Sequence, residues 1–272
     1  MPELPEVETT RRGVEPLLVG RTATEVHVFE RRLRQPVSRG LAKALQGQRL
    51  MQISRRAKYL LFGFETGTLI SHLGMSGTLR VVDQKLQRQT HDHVDITFDD
   101  SRILRFRDPR RFGLMLWTAN DPYQHRLLAP LGPEPWDPAF SARYLKQRAA
   151  QRTTAIKNFI MDAHTVVGVG NIYASESLHR AGINPRRKAG SVSLARYSQL
   201  VVHIQAVLEA AIKAGGTTLR DFVNNEGKPG YFRANLRVYD RAGEPCLSCG
   251  TAIRSIVIGQ RSTYYCPRCQ RS

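Results

Sequence analysis

Leu131-Gly132-Pro133-Glu134-Pro135-Trp136-Asp137-Pro138 sets three prolines in eight residues, and the chain changes character on either side of it. Proline fixes φ and removes a backbone donor, so this stretch reads as a linker. Upstream, residues 24 to 117 read as short strands between glycine-containing turns. Val26 and Val28 alternate with polar neighbours, as do Val94, Ile96 and Phe98; Tyr59 to Phe64 and Phe112 to Trp117 are near-continuous apolar runs. Downstream, the pattern is helical over 141–150, 153–163, 171–181, 194–213 and 217–224. A further helix is expected over 5–18. Pro5 suits a first turn, Glu6 and Glu8 complement the positive end of the dipole, and Val7, Val14, Leu17 and Leu18 share a face. Pro16 argues for an end or kink before the last turn. The fold class is α+β: an N-terminal β-sandwich with a flanking helix, then a helical domain. Expected boundaries are 1–132 for the sandwich, 133–150 for the linker and first helix, 151–240 for the helical domain and 241–272 for a cysteine-bearing module.

All four cysteines lie in the last 27 residues. Cys246-x2-Cys249 and Cys266-x2-Cys269 are separated by 16 residues. Each pair places two thiolates on one tight turn, and two such turns complete a tetrahedral shell for one structural Zn2+. Between them, Ile253 to Ile258 and Thr263 to Tyr265 read as strands, with Gly259-Gln260-Arg261-Ser262 as the hairpin tip. Such a ribbon would present Arg261 to a phosphate.

Lys plus Arg number 41 against 23 Asp plus Glu, a formal charge of +18. This surface attracts a polyanion, and nucleic acid fits better than a membrane. No apolar run approaches ~18 residues. The N-terminus lacks the basic and apolar segments of a secretory signal, and paired cysteines then indicate a reducing, cytoplasmic setting.

Pro2 is the most informative residue, although on its own a Met-Pro start is commonplace. Removal of Met1 is expected before a small residue and would free Pro2 as a secondary amine. An α-amino group has a pKa near ~7.7 to 8.0, so part of it is neutral at pH 7. Attack on an acetal-like sugar C1′ would give an iminium, by the logic of a lysine Schiff base. Glu3 beside that amine offers an acid–base partner. Gly168 and Gly170 permit close backbone approach, and a helix starting near Asn171 would aim N–H groups at a phosphate. His91-x-His93 could ligate a metal, yet no third ligand suggests itself; DNA contact suits His91 and packing suits His93. Met75 and Phe112, taken by type alone, are ordinary core residues.

Pro2-Glu3-Leu4-Pro5-Glu6-Val7-Glu8 resembles the start of the formamidopyrimidine-DNA glycosylases. The resemblance continues through Arg55-Arg56-Ala57-Lys58-Tyr59, His72-Leu73-Gly74-Met75-Ser76-Gly77, His91-Asp92-His93 and Asp108-Pro109-Arg110-Arg111-Phe112-Gly113. It then runs through Gly168-Val169-Gly170-Asn171, Gly227-Lys228-Pro229-Gly230-Tyr231-Phe232 and the cysteine ribbon. Leu4, where the sister group endonuclease VIII typically has Gly, favours the purine-directed branch.

The resemblance implies a bifunctional glycosylase and abasic-site lyase of base excision repair, acting on 8-oxoguanine and formamidopyrimidines. It implies Pro2 as Schiff-base nucleophile, Glu3 as proton donor, Lys58 in β-elimination, and Arg261 holding the phosphate and assisting δ-elimination. It implies DNA contacts from His72, His91, Arg110 and Arg152, with Asn171 at the phosphate-gripping corner of a helix–two-turn–helix. Met75, Arg110 and Phe112 would fill the gap left by a flipped base. Gln151-Arg152-Thr153-Thr154 is poorer in lysine than that segment in the family, and Arg152 is its one candidate contact. Lesion choice would be set by the 217–233 region. The implied partner is damaged duplex DNA, with no nucleotide cofactor and a monomeric, nucleoid-associated enzyme. Competing readings are an endonuclease VIII-like activity on oxidised pyrimidines and a non-catalytic zinc-ribbon DNA-binding protein. A metal-dependent nuclease lacks the necessary carboxylate clusters.

Overall fold

A computed structural model describes residues 2–217 and 232–271 of the chain. It forms two compact units, one of Met1–Ala129 and the stretch beginning at Ala214, the other of Pro130–Lys213 and the stretch beginning at Phe232.

The first unit is a β-sandwich with a helix against it. Its elements are α1 (Leu4–Leu18), β1 (Ala23–Val28), α2 (Leu41–Leu45), β2 (Leu50–Arg56), β3 (Tyr59–Phe64), β4 (Gly67–His72), β5 (Thr78–Asp83), β6 (Asp92–Phe98), β7 (Arg102–Arg107) and β8 (Leu114–Thr118). Two four-stranded antiparallel sheets result, in the orders β1-β6-β7-β5 and β2-β3-β4-β8. Val7, Val14 and Leu18 of α1 join Phe62, Leu69, Phe98 and Phe106 of the strands in one core. Apolar burial of this extent is the dominant stabilising term. Pro16 does not end α1, which runs on to Leu18. It stands in the last turn, where a missing N–H costs one helical bond, and fully buried Leu18 holds that turn on the core. The short α2 lies in the stretch read as strands only; buried Leu41 and Leu45 are its anchors.

The second unit contains α3 (Ala142–Arg148), α4 (Ile156–Met161), α5 (Asn171–Arg180), α6 (Leu194–Lys213) and the hairpin β9 (Arg254–Ile258) and β10 (Arg261–Tyr265). Ser141 caps α3, its Oγ accepting the Tyr144 N–H at 3.2 Å. α4 is shorter than the expected 153–163. The chain before it bonds sideways instead: Thr154 O accepts Ala189 N–H at 2.9 Å and Arg187 O accepts Ile156 N–H at 2.7 Å. The hairpin turn is Gly259-Gln260 alone, with φ of 57° and 60°. Two residues with positive φ make the tight turn favoured between twisted strands. Arg261 therefore sits on β10, paired with Ile258, and not at the tip. A Cβ on Gly259 would come 2.6 Å from Asn158 Nδ2. The helix expected over 217–224 lies, beyond Thr217, outside the described residues. Among the described residues, no helix is long and apolar enough to cross a membrane.

One buried ion pair ties the first sheet together. Arg105 on β7 donates through Nε and Nη2 to both oxygens of Asp95 on β6, at 2.9 and 2.8 Å, and its side chain is 7% exposed. Removing one partner of such a pair leaves an uncompensated buried charge. Arg105→Met is expected to lower the unfolding free energy by about 3 to 5 kcal/mol, read from the urea midpoint. A loss below about 1 kcal/mol would show that Asp95 regains solvent and that the pair does not hold the sheet.

Candidate active site and metal centre

Pro2 and Glu3 are both buried at the head of α1. Glu3 is the N-cap residue, and its N–H donates to Glu6 Oε2 at 2.8 Å. Glu6 Oε1 accepts the N–H of Thr217 at 2.7 Å, so one carboxylate joins the N-terminus to the segment entering 217–233. From sequence alone, Glu6 shows only a helix-dipole role.

Lys58 is half-buried in the two-residue turn between β2 and β3. Its neighbour Ala57 adopts φ of 56°, a left-handed conformation that costs a non-glycine residue roughly 1 to 2 kcal/mol. Arg55 holds the turn, its Nη1 donating to Ala57 O at 2.9 Å. Arg55 in turn pairs with Glu8 of α1 at 3.2 Å. Burial opposes the Glu8 charge, but hydrogen bonds from Arg11 and Arg12 and the fields of Arg11 and Arg55 outweigh it. The carboxyl lies below its ordinary range. The chain Glu8–Arg55–Ala57 thus fixes the Lys58 turn to the helix that begins beside Pro2. From sequence alone, Glu8 shows only its position on the dipole.

His72 ends β4 beside Tyr59, with ring centres 4.7 Å apart. Its Nδ1 accepts the Gly74 N–H at 2.9 Å. Burial first, then the charges of Lys58 and Arg34, pushes its pKa down to about 3. The ring is neutral at pH 7, and the bond from Gly74 assigns its proton to Nε2, as a donor.

Asp108, fully buried, organises the loops on which Met75, Arg110 and Phe112 lie. Its Oδ1 accepts from Ser76 Oγ at 2.7 Å, and its Oδ2 from Gly113 N–H at 2.7 Å. Ser76 Oγ also receives the Arg110 N–H at 3.2 Å. Gly74 has φ of 65°, and a Cβ there would come 2.4 Å from the Phe112 carbonyl carbon, so the loops pack backbone to backbone. Phe112 is 43% exposed and Arg110 lies over its ring at 5.0 Å. Met75 is half-buried. Exposure at that level argues against the ordinary-core alternative for Phe112.

His91 lies off the strand that carries His93. It precedes β6 with φ of 75°, and its ring meets His93 edge-on at 6.3 Å. Buried His93 bonds through Nε2 to Asp108 O at 2.8 Å, a packing role. Among the described residues, the four cysteines are the one group suited to a metal, and the two histidines are not part of one.

In the second unit, Asn171 opens α5 after Gly170. Its Nδ2 donates to Ser262 O at 3.0 Å, and its Oδ1 accepts from Lys157 Nζ at 2.5 Å. Lys157, fully buried, also donates to Thr263 Oγ1 at 2.6 Å and Ser262 O at 3.2 Å. The ammonium joins α4, the start of α5 and β10, holding the strand that bears exposed Arg261. A lone lysine in a helix gives no local sign of such a role. Exposed Arg152 lies in the loop between α3 and α4. Glu176 of α5 accepts the N–H groups of Arg237, Val238 and Tyr239 at 2.9 to 3.1 Å.

The four cysteine sulfurs lie within 4.8 Å of one another, with Cys246–Cys269 at 3.9 Å and Cys249–Cys266 at 3.5 Å. A tetrahedral zinc with bonds of about 2.3 Å requires sulfurs about 3.8 Å apart, whereas a disulfide requires about 2.05 Å. The set fits Zn2+ with no open position, so the metal serves as a cross-link.

The glycosylase N-terminal domain described as "Formamidopyrimidine-DNA glycosylase N-terminal domain" matches residues 1–115. The "Formamidopyrimidine-DNA glycosylase H2TH domain" matches 131–223, and "Zinc finger found in FPG and IleRS" matches 243–271. Formamidopyrimidine-DNA glycosylase of Methylococcus capsulatus is 59% identical over 271 residues, covering 100% of both chains. That of Pseudomonas putida GB-1 is 56% identical over the same span, again covering 100% of both. Among solved structures, Lactococcus lactis Fpg in complex with abasic-site DNA aligns with a TM-score of 0.93 at 33% identity, covering 100% of both chains. MutM (FPG) of Thermus thermophilus gives 0.87 at 36%, covering 99% of this chain and 98% of that one. On these grounds the chain belongs to the formamidopyrimidine-DNA glycosylase family.

Proposed function

We propose that this protein excises oxidised purines, 8-oxoguanine and formamidopyrimidines, from duplex DNA and then cleaves the strand at the abasic site. The observation that carries the reading is the buried Pro2–Glu3 pair at the head of α1, in the same unit as a Lys58 turn anchored through Arg55 to that helix. With Met1 removed, the Pro2 nitrogen attacks C1′ and the base departs with its bonding electrons. Glu3 donates a proton at the sugar ring oxygen, the ring opens, and an iminium links Pro2 to C1′. β-Elimination, served by Lys58, breaks the bond to the 3′ phosphate; δ-elimination, assisted by Arg261, breaks the bond on the 5′ side. Water then adds to the iminium carbon, and hydrolysis frees the Pro2 amine. His72, His91, Arg110, Arg152, Asn171 and Arg261 contact the backbone, and phosphate contacts position the duplex without reading sequence. Met75, Arg110 and Phe112 occupy the space of the extruded base. A substrate of this kind places the enzyme with the chromosome, in the cytoplasm of a bacterial cell.

Borohydride is expected to trap a covalent adduct with damaged duplex DNA, and peptide mapping to place the link at Pro2. Pro2→Gly should keep a weaker primary amine and a fraction of the activity. A link mapped to Lys58 would overturn the assignment.

Phe112→Ala should slow excision of a paired lesion more than cleavage at a preformed abasic site, because an abasic site needs no base extrusion. Equal losses on the two substrates would mean that Phe112 only supports the loop.

Zinc removal by a chelator should unfold the ribbon and abolish DNA binding in parallel, since Arg261 loses its mount. Arg261→Ala should bind more weakly with its melting temperature unchanged. Zinc-free protein that binds damaged DNA normally would refute this role for the ribbon.

A further inference from the structure

His179 lies in the last turn of α5 and is 5% exposed. Its Nε2 stands 3.6 Å from the Sγ of Cys246, itself 3% exposed. Its Nδ1 is buried with no hydrogen-bond partner among the described residues. These observations decide where the ring proton sits. A zinc-bound thiolate only accepts. A proton on Nδ1 would bury a donor with nothing to receive it and turn the Nε2 lone pair toward an anionic sulfur. A proton on Nε2 gives that N–H a sulfur acceptor and leaves only a lone pair unmatched, the lesser defect. The ring is not itself a ligand, because the four sulfurs already fill a tetrahedral shell.

We propose that His179 is a positioning residue of the zinc centre, its Nε2–H donating a hydrogen bond to the Cys246 thiolate and retarding loss of the metal. Four thiolates around one divalent ion leave two surplus negative charges, and at buried Cys246 water cannot offset them. The imidazole N–H takes up part of that charge and fixes the sulfur's orientation. A matching contact serves the second cysteine pair. Gln270 Oε1 accepts the Cys266 N–H at 2.9 Å, and Gln270 Nε2 donates to Ile183 O at 2.9 Å, just beyond α5. Helix α5, which begins at Asn171, and the residues just after it thus hold the ribbon at both pairs.

The proposal rests on zinc filling the four-thiolate site, so metal content of the wild-type chain is measured first. One zinc per chain is required; its absence would remove the zinc reading itself. Full-length, zinc-loaded protein is then compared with His179→Phe, which keeps the ring volume without the donor, and His179→Gln, which keeps a side-chain N–H. Zinc release into a colorimetric chelator should be about 10- to 100-fold faster for His179→Phe, with part of the difference recovered in His179→Gln. The sulfur-to-cobalt charge-transfer band of the Co2+-substituted Phe variant should shift. Release within about twofold of wild type would overturn the proposal. Should the Phe variant not fold, 15N spectra of the wild-type imidazole decide: a proton on Nε2 is expected, and one on Nδ1 overturns it.

Discussion

Backbone N–H groups buried in irregular segments must find acceptors, at a cost of about 1 to 3 kcal/mol for each left unpaired. Lys58, Met75, His91, Arg110 and Phe112 lie on such segments, and three buried carboxylates meet the requirement here and elsewhere. Asp108 receives donors from the 73–77 and 108–113 loops. Glu6 receives the N–H groups of Glu3 and Thr217. Glu176 receives three consecutive N–H groups at 237–239. An ionised carboxylate offers about four lone pairs and no donor, so one side chain can close two loops at once. An amide at the same place would present N–H where acceptors are needed.

The same logic sorts the cations. Arg105 is neutralised by Asp95, and Arg11, Arg12 and Arg55 converge on Glu8. These pairings hold secondary structure together. Arg110, Arg152 and Arg261 are exposed. They contribute to the field of a chain carrying +18, which draws in a polyanion over distances set by ionic strength.

Strained backbone is found at several of the same places. Ala57, His91 and Arg111 adopt left-handed backbone with φ of 56°, 75° and 56°. Each is held by a neighbour: Arg55 bonds Ala57 O, Asp108 N–H bonds His91 O at 3.0 Å, and Arg111 N–H bonds Asp108 O at 3.2 Å. Conformations this costly persist only when surrounding contacts determine them, which keeps a site in shape before its substrate arrives.

The α+β class, the helices at 171–181 and 194–213, the β3 run at Tyr59 to Phe64 and the four-thiolate metal site were legible from local pattern and spacing alone. Periodicity and Cys-x2-Cys are short-range properties, so each can be read without knowing what packs on it. The motif resemblance pointed to Pro2, Glu3, Lys58 and Arg261 for the same reason, since each sits in a contiguous block. What escaped were residues whose partners lie far along the chain. Pro16 looked like a helix breaker until the buried Leu18 held the last turn in place. Lys157 carries no local signal, yet it bonds Thr263 across 106 positions. Glu6 and Glu8 show locally only as first-turn acids, and Asp108, Glu176 and His179 carry no local signal of their partners. Only tertiary structure gives such a side chain its role, because a buried charge or proton takes its meaning from the donors and acceptors that folding brings within about 3 Å of it.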